Sequence, residues 1–282
     1  MNLGNWQLET VSGGEFRLDG GAMFGIVPKP LWERIIPADD RNRITLQTNC
    51  VLARDGNHTL LIDTGYGGKE SERFIEIHGM EQGAPLLDNL YTAGVSPEGI
   101  DFVVFSHLHF DHAGGGVVRD DCNALVPAFP NAKYVAQRLE WEVANSGSPE
   151  LAGNYPPENL RPLEEAGQLR LIEDGEEIVP GLRGLVTGGH TAGHHALTFE
   201  SGGDKAIYLG DLCPTHAHLR RMWCMAYDMY PLETRRKKPE LLAQIADNGW
   251  TVLFDHDPVM AGCCIEQDHK REFAISDRLN VL

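Results

Sequence analysis

The chain has 282 residues, which is enough for one large domain or two small ones with a buried core. Aspartate and glutamate outnumber lysine and arginine by 41 to 24, which gives a formal net charge of −17. Because such an acidic surface repels phosphate groups, we expect neither nucleic acid nor an anionic membrane as a partner. No stretch reaches the roughly 18 to 20 apolar residues of a membrane span, and the first residues do not resemble a signal peptide, so we expect a cytoplasmic protein.

The cysteine spacing argues against a disulfide framework. The chain has six cysteines, and no two of them have the Cys-x-x-Cys spacing of a typical metal or redox motif. In a chain of this length and location we expect reduced thiols in the core. Cys213 is set apart only by its neighbours in the sequence. The six are Cys50, Cys122, Cys213, Cys224, Cys263 and Cys264.

In the first half of the chain, residues 20–49 fit no regular element. This segment contains adjacent glycines, several prolines and a few aromatic residues, so we predict an irregular arm or lid there. The alternative is a surface loop with a few packed aromatic residues. After it, the spacing of apolar residues predicts, in chain order, a strand at 59–63, helices at 70–77 and 84–93, strands at 102–105 and 132–136, and a helix at 138–145.

In the second half, the spacing of apolar residues predicts mostly short strands with few helices between them. In chain order these are strands at 182–186, 196–199 and 206–209, a helix at 239–246 with Pro239 in its first turn, a strand at 251–254, and a last helix at 269–279. Strands and helices alternate without a repeat or a linker. The sequence therefore predicts one α/β domain over residues 1–282.

Residues that can bind a metal lie at or just after the ends of four predicted strands. They are Asp63, His107, Asp211 and His256. In layered α/β folds, binding sites form where strand ends meet at one edge of a sheet. We therefore expect these four side chains to lie close together.

Residues 106–116 form the strongest motif and read Ser-His-Leu-His-Phe-Asp-His-Ala-Gly-Gly-Gly. Alternate residues of an extended segment point the same way, so His107 and His109 can reach one metal ion. Asp111 and His112 lie past the turn and can reach a second ion nearby. The glycines let the backbone approach closely without steric cost. The pattern predicts a metal site.

The remaining ligands must come from distant parts of the sequence. His190, in Gly-Gly-His-Thr-Ala-Gly-His, is the expected third ligand of the first ion. Asp211 can bridge two ions, because a carboxylate has two oxygens, and His256 can complete the second ion. This set leaves each ion an open position for water, which is typical of a catalytic site. Nitrogen and oxygen ligands suit zinc and tolerate iron, manganese or cobalt.

This arrangement resembles the metallo-β-lactamase superfamily. The resemblance rests on His-x-His-x-Asp-His at 107–112, followed by His190, Asp211 and His256, and it covers residues 45 to 260 or so. It implies an αβ/βα sandwich of four layers, in which two mixed sheets face each other and helices cover the outside. A dinuclear metal site lies at one edge of such a sandwich.

The resemblance also implies roles for individual residues. By position, the two ions take the ligands already assigned to them, with Asp211 as the bridge. Asp63, in Leu-Ile-Asp-Thr-Gly, resembles a carboxylate that orients ligand histidines from behind. The long arm and the block 210–231 look most like the branch of acyl-homoserine lactonases and organophosphate hydrolases.

Two departures from the family pattern concern the loops. Ala192 stands where the family usually has a proline. The lactonases have a tyrosine shortly after the bridging aspartate, and residues 212–215 here contain none. Tyr227 can replace it in space and assist the substrate. The alternative is that Tyr227 is an ordinary core residue.

The expected reaction is hydrolysis. Two divalent ions lower the pKa of a shared water to near neutrality, and one of them polarises the carbonyl or phosphoryl oxygen of the substrate. A bridging hydroxide then attacks, and Asp111 is placed to pass a proton to the leaving group. The metal ligands alone do not indicate whether the substrate is an ester, a lactone, a thioester, an amide or a phosphoester. Our first hypothesis is a lactonase or esterase for a small, moderately apolar substrate.

Other functions fit parts of the same pattern. A phosphotriesterase would use the same site, and so would a thioesterase, although no basic cluster suited to glutathione is present. A mononuclear iron dioxygenase would need only three histidines and Asp211, so the presence of His112 and His256 argues against it. A binding protein on an inactive fold would have lost ligands. A nuclease is disfavoured by the acidic charge.

Apolar residues of the arm and of a later block are candidates for substrate specificity and assembly. In the branch that the chain resembles, such residues wall the pocket and join two subunits, so we expect a homodimer. The alternative for each is core packing. The candidates are Met23, Phe24, Ile26, Trp32, Trp223 and Met225.

Overall fold

A computed structural model describes residues 1–151 and 153–279, so residues 152 and 280–282 of the predicted domain lie outside the described part. The strands in chain order are β1 (Asn2–Leu3), β2 (Trp6–Asp19), β3 (Arg43–Arg54), β4 (Thr59–Ile62), β5 (Phe102–Val104), β6 (Val117–Arg119), β7 (Leu125–Pro127), β8 (Lys133–Gln137), β9 (Leu169–Ile172), β10 (Glu177–Val179), β11 (Leu182–Val186), β12 (His195–Ser201), β13 (Asp204–Tyr208), β14 (Thr251–Leu253), β15 (Gly262–Asp268) and β16 (Glu272–Leu279).

The helices are short apart from the last one. They are α1 (Gly20–Phe24), α2 (Lys29–Trp32), α3 (Glu72–His78), α4 (Pro85–Thr92), α5 (Phe110–Ala113), α6 (Arg138–Ala144), α7 (Pro157–Glu165) and α8 (Pro231–Asn248). Among the described residues, no helix is long and apolar enough to cross a membrane.

The strands form two seven-stranded mixed sheets. The first has the order β1-β2-β3-β4-β5-β8-β9, and the second runs from β10 to β16 in sequence order. Parallel pairing joins β4, β5, β8 and β9 in the first sheet, and β13 and β14 in the second. The two-stranded ribbon of β6 and β7 lies apart from both sheets.

Three apolar layers hold the sheets and helices together. Leu8 and Val104 of the first sheet pack against Leu197 and Phe199 of the second, in a layer between the two sheets. Side chains of α4, α6 and α7 cover the outer face of the first sheet, and those of α8 cover the outer face of the second. The predicted αβ/βα sandwich is therefore confirmed. Burial of these apolar side chains supplies most of the driving force for folding.

The predicted elements of the middle of the chain agree with the structure to within a few residues at most boundaries. Two elements differ. The last predicted helix, at 269–279, is wrong, because this segment is the hairpin strand β16. Phe273 pairs with Gln267 and Ile275 with Ile265 across the hairpin. The carboxylate of Asp268 accepts hydrogen bonds from two backbone amides of the connecting turn, and sheet pairing prevails over the helical spacing of the sequence.

The long helix near the end begins earlier than predicted. Helix α8 begins at Pro231, so it is this proline that occupies the first turn, where its missing N–H costs nothing. Pro239 lies inside the helix, and the prediction that placed it in the first turn is wrong.

The predicted irregular arm, 20–49, is only partly irregular. Its last residues, 43–49, belong to β3, which pairs antiparallel with the long strand β2. The two short helices α1 and α2 occupy part of the remainder. Strand β2 was not predicted, because a bulge between Ser12 and Glu15 breaks the regular alternation of apolar and polar side chains.

Candidate metal centre

The loops after five strands meet at one edge of the sandwich. Strands β4 and β5 are parallel neighbours, as are β13 and β14. Strand β11 runs in the same direction as β13, because both are antiparallel to β12. The carboxyl ends of these strands therefore lie at the same edge of their sheets, and the metal-capable residues of the sequence follow them there.

The first cluster brings together three predicted ligand histidines and the predicted bridge. One ligand atom from each of His107, His109, His190 and Asp211 lies within 4.8 Å of the others. The Nε2 atom of His190 is 3.0 Å from Nδ1 of His109 and 2.9 Å from Oδ2 of Asp211. Ligands about 2.1 Å from a tetrahedral zinc ion are about 3.4 Å apart, so this spacing suits one ion.

The second cluster shares Asp211 with the first. It consists of His112, Asp211, Asp255 and His256, again with ligand atoms within 4.8 Å of each other. The Nε2 atoms of His112 and His256 are 3.1 Å apart, and Nε2 of His256 is 3.3 Å from Oδ1 of Asp211. Asp111 lies beside this cluster, with its Oδ2 3.5 Å from Nε2 of His256. All seven predicted ligands thus lie at one edge, and Asp255 joins them.

The chemistry of the two clusters fits divalent cations. Nε2 of His107 and Oδ1 of Asp211 are buried, and neither has a hydrogen-bond partner among the described residues. Burial, together with neighbouring histidines, holds the pKa of His107 and of His109 well below the usual range, which leaves these rings neutral and able to bind metal. Burial alone would lower the pKa of His190, but Asp211 and Asp228 raise it to about 10. The carboxylates therefore attract positive charge to this edge.

Asp63 holds a histidine of the second cluster in its orientation. It follows β4 in a left-handed conformation, with φ of 54°. Its carboxylate accepts hydrogen bonds from the backbone N–H and the hydroxyl of Ser106 and from the hydroxyl of Tyr208. Nδ1 of His112 lies 2.8 Å from the same carboxylate. The ring of His112 is therefore held with Nε2 facing the cluster, as the family resemblance implied for Asp63.

Two further partners of ligand histidines were not found from the sequence. Nδ1 of His190 lies 3.0 Å from the carboxylate of Asp228. Nδ1 of His256 lies 2.8 Å from the backbone oxygen of Gln47. Each contact directs the other ring nitrogen towards the centre. Asp228 carried no recognisable spacing signal, because it reaches His190 through the fold and not through a local motif.

A buried glutamate connects the two loops that carry the first cluster. Glu140 accepts hydrogen bonds from the backbone N–H of Leu108 in one loop, and from the hydroxyl of Thr191 and the backbone N–H of Gly193 in the other. The hydroxyl of Tyr155 donates to the same carboxylate. Burial raises the pKa of Glu140. This residue was also missed, since a glutamate in a helix is usually a solvated surface residue.

A small cavity of about 140 Å³ opens beside both clusters. Its apolar wall comes from the arm, from β2, from α5 and from the block after Asp211, through Met23, Leu18, Phe110 and Met225. Tyr227 lines the same cavity and is 40% exposed, so its interpretation as a core tyrosine is wrong.

The other candidate apolar residues do not line this cavity. Phe24 stacks on Trp32 with a centroid separation of 5.2 Å and meets Trp223 edge-on at 5.5 Å. These three rings are buried and pack the arm against the block 210–231. Ile26 is exposed. The arm therefore holds Met23 in place through aromatic packing.

The cysteines are all free, as predicted, but they are not all core residues. Cys122 is exposed and Cys264 is partly exposed, whereas the other four are buried. Cys213 packs in the apolar layer beneath α8, and burial raises its pKa to about 12. Its thiol is thus unreactive at neutral pH.

Replacing Asp228 by asparagine tests how firmly His190 is held. We expect Asp228→Asn to weaken binding of metal at the first cluster by 10- to 100-fold, because His190 loses the charged partner of Nδ1. Competition with a chromophoric chelator measures this affinity. The control is Asp120→Asn in an exposed turn, which should bind metal as the unmodified protein does. Equal affinities for all three proteins would contradict the assigned role of Asp228.

Comparison with known proteins agrees with this geometry. The profile of the family described as the metallo-beta-lactamase superfamily matches residues 43–256. An N-acyl homoserine lactonase from a Bacillus species is 32% identical over 162 residues, which are 54% of this chain and 58% of that protein. The chain therefore matches less than two thirds of the length of this relative.

Solved structures match over almost the whole length. A probable metal-dependent hydrolase from Staphylococcus aureus is 34% identical, with a TM-score of 0.91, and the match covers 99% of this chain and 98% of that one. AidC, described as a dizinc quorum-quenching lactonase, is 21% identical with a TM-score of 0.81, and the match covers 99% and 97% of the two chains. The likeness to AidC shows the fold alone. The chain is similar to N-acyl homoserine lactonases, and because the family profile matches more than half of the sequence, it belongs to the metallo-beta-lactamase superfamily.

Proposed function

We propose that this chain is a dinuclear-metal hydrolase that opens lactones or esters of small, moderately apolar substrates. The observation that carries the proposal is the sharing of Asp211 by two buried histidine clusters beside a cavity with a partly apolar wall. The lactonase relatives support the choice of lactones. AidC, which has the same fold, was solved with a hexanoyl-homoserine product.

In this proposal, His107, His109 and His190 hold one ion and Asp111, His112 and His256 hold the other, with Asp211 between them. Zinc suits the nitrogen and oxygen ligands, and iron, manganese or cobalt would also be accepted. When bound, the ion pair supplies an activated water near neutral pH and polarises the carbonyl oxygen of the substrate.

The cavity wall is suited to an acyl chain of limited length. Leu18, Met23, Phe110 and Met225 present apolar atoms, so a short apolar substituent gains from leaving water there. With a volume of about 140 Å³, the cavity accommodates a small substrate. In this proposal, the ester or lactone carbonyl of such a substrate lies next to the two clusters, because His109, Asp211 and His256 line the same cavity.

Asp111 and Tyr227 are the proposed catalytic side chains. Asp111 lies next to His256 and faces the cavity, where it can carry a proton to the departing oxygen. Burial, aided by the charges of Asp19 and Asp111, raises the pKa of Tyr227 to about 12. Its phenol stays protonated at physiological pH and can donate a hydrogen bond to the substrate.

The second cluster favours this proposal over a mononuclear dioxygenase. Such an enzyme needs only the first cluster, whereas His112 and His256 are buried, oriented by their own partners, and placed 3.1 Å apart at Nε2. Phosphotriesters and thioesters remain alternative substrates of the same site, and the substrate panel below separates them.

We further propose a homodimer formed through the arm. Ile26 and Leu31 are 61% and 50% exposed, although the arm is otherwise well packed. Both residues belong to the arm, and we infer that together they contribute apolar surface to the contact between subunits. Of the candidate residues for this role, Met23, Phe24 and Trp32 are buried and cannot form the contact directly.

A substrate panel tests the proposed activity. The metal-loaded protein is assayed with acyl-homoserine lactones of several chain lengths, simple lactones, aryl esters, a phosphotriester, a thioester and a cephalosporin. We expect the largest kcat/KM for lactones with short acyl chains, because of the small apolar cavity. Turnover of the thioester or the phosphotriester alone would show that the proposed substrate class is wrong.

Replacing the shared aspartate tests the dinuclear centre. Asp211→Ala should abolish the activity on the best substrate and lower the metal content, because one carboxylate serves both clusters.

A second prediction concerns Tyr227. We expect Tyr227→Phe to lower kcat on the best substrate by about 10- to 100-fold, because one hydrogen bond to the reacting atoms is lost. The loss should be constant from pH 6 to pH 9, since a phenol with a pKa of about 12 stays protonated throughout that range. Rate profiles of the two proteins across this range measure the ratio. A ratio that falls towards one as the pH approaches 9 would mean that the phenol titrates there, contrary to the assignment.

A further inference from the structure

Asp255 is a buried carboxylate without a counterpart in the ligand set derived from the sequence. It follows β14 directly and precedes His256, and its side chain is 1% exposed. Among the described residues, neither of its oxygens has a hydrogen-bond donor. An ionised carboxylate in such surroundings is strongly unfavourable unless a positive charge compensates it.

Two hydroxyl groups beside Asp255 donate their protons to other acceptors. A narrow internal space beside the second cluster is lined by Asp255 together with Tyr208 and Thr48. The hydroxyl of Tyr208 donates to Asp63, and the hydroxyl of Thr48 donates to the backbone oxygen of Gly14. Each hydroxyl has a single proton, which is already used.

The metal-binding atoms of the second cluster lie close to Asp255. One oxygen of Asp255 is within 4.8 Å of the ligand atoms of His112, Asp211 and His256. Its Oδ2 is 3.7 Å from Nε2 of His256. Two carboxylates, Asp211 and Asp255, thus face the same two imidazoles, and a cation between them would compensate both.

We propose that Asp255 is a further ligand of the second ion. The inference rests on the dinuclear centre proposed above. The second position would then offer five side chains, namely His112 and His256 with three carboxylates from Asp111, Asp211 and Asp255. The first position offers three histidines and one carboxylate, a set typical of four-coordinate zinc.

The extra carboxylate makes the two positions chemically unequal. Five ligands, three of them oxygen donors, favour ions that accept five or six ligands, such as Mn²⁺ or Fe²⁺, over four-coordinate Zn²⁺. We therefore infer that the second position has the greater relative affinity for Mn²⁺. The competing explanation for the buried charge is a proton shared between Asp211 and Asp255, which requires no metal contact at Asp255.

Titration of the metal-free protein with Mn²⁺ and with Zn²⁺ tests the inference through binding alone. The unmodified protein is expected to bind two ions per chain. Asp255→Asn, which keeps the shape and removes the charge, should bind Mn²⁺ at the second position at least about tenfold more weakly. The first position should change by no more than about twofold, and the loss for Zn²⁺ at the second position should be smaller than that for Mn²⁺.

The control variant is Asp257→Asn, in which a buried aspartate of the same loop is changed. Its carboxylate faces His216 and not the clusters, so we expect two ions bound with unchanged affinity. Thermal unfolding of the metal-free proteins checks folding. Metal-free Asp255→Asn should be at least as stable as the unmodified protein, because an uncompensated buried charge has been removed.

A crystal structure of the unmodified protein with Mn²⁺ bound measures the contact between Asp255 and the second ion directly. We expect an oxygen of Asp255 within about 2.5 Å of the second ion. Two ions bound by Asp255→Asn with the affinities of the unmodified protein would overturn the inference and leave the dinuclear centre standing. Equal losses of Mn²⁺ affinity in Asp255→Asn and Asp257→Asn would overturn the inference as well. A single ion bound by the unmodified protein would overturn the dinuclear centre and the inference together.

Discussion

The contact of Asp211 with both histidine clusters is the constraint on which the rest of the centre depends. Its Oδ2 lies 2.9 Å from His190 and its Oδ1 lies 3.3 Å from His256. Burial alone would raise its pKa, but these two histidines hold the pKa well below the usual range. A carboxylate that is ionised, buried and shared requires compensating positive charge on both sides. The surrounding loops are arranged to supply histidines there and to hold them still.

Contacts behind the proposed ligands hold the loops in place. Asp63 joins the loop after β4 to His112, Asp228 joins the block before α8 to His190, and Glu140 joins the two loops of the first cluster. These carboxylates are buried, so each contact acts in a medium of low dielectric and is correspondingly strong. Orientation of the imidazoles before any ion arrives lowers the cost of ordering them on binding.

Part of this arrangement could be predicted from the sequence. The ligand residues directly follow strands, and the spacing within 107–112 allows only a few geometries, so local pattern was enough to collect them. Asp228 and Glu140 escaped prediction because their contacts join residues 38 and 51 positions apart, respectively. The helix predicted at β16 is wrong for a different reason, because pairing with β15 across a short hairpin prevails over the local spacing of apolar residues. Asp255 was visible beside His256, but its burial and its lack of donors appear only in the folded chain.

The acidic composition acquires a partial physical explanation in this light. Several aspartates are concentrated at the centre, where they either face the clusters or orient the histidines. The most direct test of the account is quantitative elemental analysis of carefully prepared, metal-replete protein, combined with its crystal structure. We predict two divalent ions per chain, with Asp211 in contact with both. One ion per chain, with His112 and His256 free of metal, would contradict it.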